Sequence, residues 1–103
     1  MKQRQLHFPG CQDATLFGQA WLPERAPRAV IVISHGLAEH GGRYADLAAR
    51  LVETGHGVYA IDHRGHGRSS GRRANIERFD YLVSDLGIFI GRAQREHPDA
   101  TVI

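Results

Sequence analysis

Ala29-Val30-Ile31-Val32-Ile33-Ser34 is a continuous apolar, β-branched run, with Pro23 and Pro27 before it and Gly36 after it. A run of this length, without polar alternation and bounded by turn residues, suits a strand buried on both faces. Such a strand requires neighbouring strands and covering helices, and the rest of the chain must supply them. Tyr44, Leu47, Ala48, Leu51 and Val52 recur at helical spacing, and Gly55 stands where a C-terminal cap belongs. Val58-Tyr59-Ala60-Ile61-Asp62 reads as the next buried strand. Ile76, Phe79, Leu82, Val83, Leu86, Ile90 and Ala93 trace one face of a second helix, with Asn75 as its N-cap and Pro98 beyond its end. Gly87 and Gly91 weaken that helix by about 1 kcal/mol each relative to Ala. Thr101-Val102-Ile103 begins another strand.

Ahead of this alternation lie two more strand candidates, residues 3–8 and 15–22, with the turn-like Pro9-Gly10-Cys11-Gln12-Asp13 between them. The fold class expected is therefore α/β: an antiparallel hairpin leading into a mostly parallel sheet with flanking helices. Residues 1–103 form a single partial domain in this reading. The central strands of a parallel sheet need neighbours on both edges, and two helices with a short last strand do not provide them. The expectation is the amino-terminal half of something larger.

Leu, Ile, Val and Phe make up 25 of the 103 residues, enough to exclude disorder as the default. The longest aliphatic run, residues 29–33, is far short of the roughly 20 residues a membrane span needs. The opening Met1-Lys2-Gln3-Arg4-Gln5-Leu6-His7 is polar and lacks the apolar core of a signal peptide. A single cysteine, Cys11, cannot form an internal disulfide, which suits a reducing cytosol and a cytoplasmic location. Net charge is +2, but Arg64, Arg68, Arg72 and Arg73 fall within ten residues. That cluster could attract phosphate, yet it lacks interleaved aromatics and any nucleic-acid motif, so no nucleic-acid partner is expected. A solvated face is the plainer reading of these arginines.

Two glycine-bearing loops follow the two buried strands, at the carboxyl ends where open α/β sheets gather function. The first reads Ser34-His35-Gly36-Leu37-Ala38-Glu39-His40-Gly41-Gly42-Arg43-Tyr44 and the second Asp62-His63-Arg64-Gly65-His66-Gly67-Arg68-Ser69-Ser70-Gly71. Together they resemble the loops of α/β-hydrolases, and more narrowly those of monoacylglycerol lipases and lysophospholipases, a group filed with the serine aminopeptidases. The similarity runs from about the hairpin to the last residue. It implies that the first loop forms the oxyanion hole, with Leu37 presenting a backbone N–H and Gly36 permitting the tight path. His35, Glu39, His40 and Arg43 then order this loop or line the pocket, a solvated polar turn being the alternative for Glu39, His40 and Arg43.

The resemblance also implies a nucleophilic serine in a G-x-S-x-G elbow after the strand that begins at Thr101, followed by acid and histidine. None of the three is expected within these 103 residues. Gly67-Arg68-Ser69-Ser70-Gly71 satisfies the pattern literally, but His63 to His66 separate it from its strand and an Arg-rich loop follows it. Ser69 is read as a structural loop serine, and Asp62 as a carboxylate that fixes its loop through backbone N–H groups. The histidines lack a partnering Cys cluster or an H-E-x-x-H helix, so no metal is expected. No G-x-G-x-x-G stands at a strand–helix junction, and no cofactor is expected. Cys11 has no sequence-adjacent activator and is read as incidental.

The function implied is cleavage of a carboxylic ester, a monoacylglycerol or lysophospholipid, through an acyl-enzyme. The partners implied are that lipid-like substrate and, through the arginines, peripheral contact with an anionic membrane. No protein partner is defined. The alternatives are a non-catalytic truncated remnant that binds partners, or an α/β-hydrolase of another specificity: peptidase, epoxide hydrolase or dehalogenase.

Overall fold

The structure, a computed structural model, describes residues 1–35, 44–70 and 79–103. Its elements are β1 (Lys2–Pro9), a 3-10 turn (Cys11–Asp13), β2 (Thr15–Leu22), β3 (Ala29–Ser34), α1 (Ala45–Glu53), β4 (Gly57–Asp62), α2 (Phe79–Glu96) and β5 (Thr101–Val102). The five strands form one sheet in the order β1-β2-β4-β3-β5. β1 and β2 pair antiparallel, as do β2 and β4, whereas β3 runs parallel to both β4 and β5. This is the α/β arrangement expected, a hairpin leading into parallel strands with a helix on each face.

β4 is the centre of the sheet, and all six of its residues are buried. Its side chains alternate between two cores. Tyr59 and Ile61 pack with Leu16, Ala20, Phe89 and Ala93 on the α2 face, while Val58 and Ala60 pack with Trp21, Ala48 and Val52 on the α1 face. Gly18 in β2 makes room for α2, because a Cβ there would come within 2.6 Å of Phe89 Cε1. The far end of α2 is pinned by the Tyr59 hydroxyl, which donates to Glu96 and lies 3.0 Å from His97 Nε2.

The α1-to-β4 connection is a Schellman turn. Gly55 N–H donates to Val52 O at 2.9 Å and His56 N–H to Leu51 O at 3.2 Å, with Gly55 at φ +90°. Gly55 is thus the C-terminal stop that the sequence marks.

Three expectations need correction. β3, composed like a doubly buried strand, buries only Val30, while Ile31, Val32 and Ile33 are half-buried. Its outer neighbour β5 pairs only with Ala29 and Val30 in the ladder, so the strand covered on both faces is β4. Leu47 in α1 is exposed, and Ala48 and Val52 carry the packing. α2 buries Asp85, Phe89 and Ala93, with Leu86 packed against their core, and not the whole stripe read from the sequence. Phe79 and Val83 of that stripe are exposed, while Asn75 and Ile76 lie outside the described residues. α2 carries two apolar stripes, and only the one through Phe89 faces the sheet.

Candidate active site

β3 and β4 lie side by side in parallel register, with Ser34 opposite Ile61, so their following loops emerge together at the carboxyl ends. His35 is the last described residue of the first loop, and it is buried. Gly36, Leu37, Glu39, His40 and Arg43 lie outside the described residues, as do Arg72 and Arg73.

The second loop is tied down along its length. Gly65 and Gly67 take left-handed conformations, φ +77° and +50°, which explains glycine at both positions. Gly65 N–H donates to Ser70 O, His66 N–H to His63 O, and Ser70 N–H to Thr15 O at the start of β2. Asp62 Oδ2 accepts the Arg68 N–H at 3.0 Å, which is the loop-fixing role read from the sequence. Ser69 is buried: its hydroxyl donates to the Asp62 carbonyl and accepts Phe17 N–H at 2.8 Å. Both bonds join backbone to backbone through the hydroxyl, so Ser69 is a strut between β2 and β4.

Three histidines meet where the two loops touch. His63 N–H donates to His35 Nε2 at 2.8 Å, which places the His35 proton on Nδ1. His66 Nδ1 donates to Arg64 O at 3.0 Å, and the His63 Nε2 to Ser34 Oγ distance is 2.7 Å. The His35 ring centroid lies 4.7 Å from that of His63 and 5.0 Å from that of His66. His63 Nδ1 and His66 Nε2 have no hydrogen-bond partner among the described residues. Burial, then the neighbouring His35 and His66, push the His63 pKa down from 6.5 to about 4. The contact of the His63 ring with Ser34 Oγ links the end of β3 to the loop after β4. Among the described residues no group of His, Cys, Asp or Glu is arranged to hold a metal ion.

Arg64 departs from the solvated face read for its cluster. It is buried, with Nε 2.9 Å from Asp85 Oδ2 and Nη2 3.1 Å from Asp85 Oδ1, a fork that joins the loop to α2. Nη2 also donates to Cys11 O at 2.6 Å and lies 3.2 Å from Cys11 Sγ, while Cys11 N–H donates to Asp85 Oδ1 at 3.0 Å. Cys11 is thus part of a three-way joint, and the pairing with Asp85 raises the Arg64 pKa further. The partners are 21 and 53 positions from Arg64, beyond any local pattern. Arg68, in contrast, is exposed and lies over the Phe17 ring at 4.9 Å. A cavity of about 180 Å³ opens beside the histidines, lined by Ser34, His35, His63, Phe79, Leu82, Val83 and Leu86.

The sheet order, with His35 after β3 in contact with the glycine loop after β4, defines the amino-terminal part of an α/β-hydrolase fold. Residues 25–103 match the family model described as "Serine aminopeptidase, S33", and the chain belongs to that family. It is 42% identical over 91 residues to a monoacylglycerol lipase of Mycolicibacterium smegmatis and 38% identical over 96 residues to the monoglyceride lipase of Rattus norvegicus. These matches cover 88% and 93% of this chain and 32% of either relative, so the chain spans about a third of the length of the curated relatives it matches. A thermostable carboxyl esterase from Bacillus coagulans, solved with glycerol, superposes with a TM-score of 0.88 at 26% identity. That superposition covers 99% of this chain and 35% of the esterase.

Proposed function

We propose that this chain is the oxyanion-loop-bearing part of a serine hydrolase that cleaves a monoacylglycerol- or lysophospholipid-like ester. The observation that carries the reading is the contact of His35, at the end of β3, with the loop after β4, in a chain 42% identical over 91 residues to a monoacylglycerol lipase. In this mechanism a serine attacks the ester carbonyl, and the negative oxygen of the tetrahedral intermediate is met by preorganised backbone donors. Leu37 N–H is one such donor, and Gly36 lets the backbone approach closely; Glu39, His40 and Arg43 order the loop or line the pocket. One donor of this kind contributes about 3 kcal/mol to transition-state stabilisation. The acyl-enzyme then yields to water, which calls for no cofactor. On this reading nucleophile, acid and histidine come from outside these 103 residues; the bonds of Ser69 to Phe17 N–H and the Asp62 carbonyl support its role as a loop serine.

The test is a hybrid of the mycobacterial lipase in which this chain replaces the matching segment. A folded hybrid that hydrolyses a monoacylglycerol supports the reading. A hybrid with a cooperative melt and no turnover of any ester overturns it. The 103-residue chain alone is expected to release no product from a short-chain ester.

A further inference from the structure

We propose that His35, His63 and His66 form an acid-released latch between the end of β3 and the loop after β4, closed while all three rings are neutral and opened when they take up protons together. All three side chains are buried, and the His35 ring lies against both of the others, its centroid 4.7 Å from that of His63 and 5.0 Å from that of His66. His63 N–H donates to His35 Nε2 at 2.8 Å, and the His63 ring meets Ser34 Oγ at 2.7 Å. One residue of the loop after β4 thus holds two consecutive residues at the end of β3. His66 Nδ1 donates to Arg64 O, and Arg64 is forked onto Asp85 of α2, which fixes the loop side of the latch.

Each ring has a physical reason to stay neutral while the latch is closed. A proton on His35 Nε2 removes the acceptor that receives His63 N–H. His66 already donates through Nδ1, so its second proton must go on Nε2, which is buried without a partner among the described residues. His63 Nδ1 is buried and unpartnered in the same way, so a charged His63 carries a donor that nothing receives. Compensating charge is committed elsewhere. The carboxylates acting on His63 are Asp62, at the end of β4, and Asp85, on α2. Asp62 Oδ2 accepts Arg68 N–H, and Asp85 holds the Arg64 guanidinium and Cys11 N–H. Of the loop cations, Arg64 is taken up by Asp85 and Arg68 lies over the Phe17 ring. The α2 side chains lining the cavity beside His35 and His63 are apolar: Phe79, Leu82, Val83 and Leu86. Burial and the two neighbouring rings hold the His63 pKa near 4, in keeping with a neutral closed state at pH 7. Once the junction opens, each ring meets water and regains an ordinary affinity for protons, so a single opening admits more than one.

The test uses the hybrid lipase and reads no activity, so a folded hybrid that turns over no ester serves equally well. Ring-proton signals of the three histidines, each assigned by its loss in His35→Phe, His63→Phe or His66→Phe, are followed by NMR from about pH 8 to about pH 3.5. The three signals should move together, with a Hill coefficient above about 1.5 and a midpoint at least about one unit below the free-histidine value of 6.5. Over the same range the amides of Gly65, His66 and Ser69, bonded within the loop, should lose exchange protection while those of the β1–β2 ladder keep theirs. His66→Phe keeps a ring against His35 and takes up no proton, so it should lower the Hill coefficient of the remaining two. Rings that titrate one by one with Hill coefficients near 1 overturn the proposal, as do loop amides still protected after all three rings are charged. An unchanged Hill coefficient in His66→Phe overturns it too. A hybrid without a cooperative melt at neutral pH also counts against it, since the latch is then not closed where it should be.

Discussion

His63 ties stability to pH at the scale of a single residue. Its folded pKa is about 4, against 6.5 for the free side chain. Between these values the unfolded chain binds the extra proton and the folded chain does not, so folding is favoured as pH rises. Its contribution is complete above pH 6.5, declines as pH falls toward 4, and changes no further below. The slope in that window is at most about 1.4 kcal/mol per pH unit. Urea melts between pH 7 and 4 should show this decline, and His63→Phe should flatten it. Ser69 makes a second residue-level case. Replacing it with Ala leaves the buried Phe17 N–H and Asp62 carbonyl without this partner, at a cost of about 1–3 kcal/mol. A urea midpoint shift without loss of kcat in a hybrid lipase would identify Ser69 as a strut, whereas lost turnover at full stability would make it a nucleophile. The sequence distinguished this serine from an elbow through its context: a G-x-S-x-G that neither follows a strand directly nor opens a helix.

Elements are joined by contacts that no window of sequence displays. The Arg64 fork on Asp85, with Cys11 bonded to both, connects the turn after β1, the loop after β4 and the middle of α2. Asp85→Ala leaves a buried guanidinium without its carboxylate and should cost about 3–5 kcal/mol. In a double-mutant cycle with Arg64→Ala, the second substitution should add far less than the first; additive losses would show that the two do not act as a pair. Strand positions were readable because alternation and β-branching act locally. β2 and β3 have the predicted bounds, and β4 begins one residue earlier than read. The orientation of α2 was not readable, since Phe79/Val83 and Phe89/Ala93 both recur at helical spacing and only the tertiary contact with Gly18 and Tyr59 selects between them. The same holds for the candidate site: the loops and their place at the strand ends were legible in glycine and histidine spacing. The grip of His63 and His66 on His35 depends on β3 and β4 lying in register.

Across the whole molecule, apolar surface collects on one side of α2. Phe79 is 72% exposed and Val83 55%, and both border the cavity beside the histidines. Exposed apolar patches of this kind promote association. The chain should scatter light at micromolar concentration, and Phe79→Ser with Val83→Ser should suppress the scattering without lowering the melting temperature; a lowered melting temperature would mean these side chains pack internally. Among the described residues no helix is long and apolar enough to cross a membrane. The strand order has a kinetic consequence. β4 lies between β2 and β3, both made before it, so the sheet cannot assemble in the order of synthesis. The β1–β2 hairpin is local and can close within microseconds, whereas the centre must wait for a strand from further along the chain. Trp21, the single tryptophan, stands opposite Val58 of β4 and is almost fully buried. Its emission therefore reports the burial that comes with the middle strand and α1, since Trp21 packs with Val58 and Ala60 of β4 and with Ala48 and Val52 of α1.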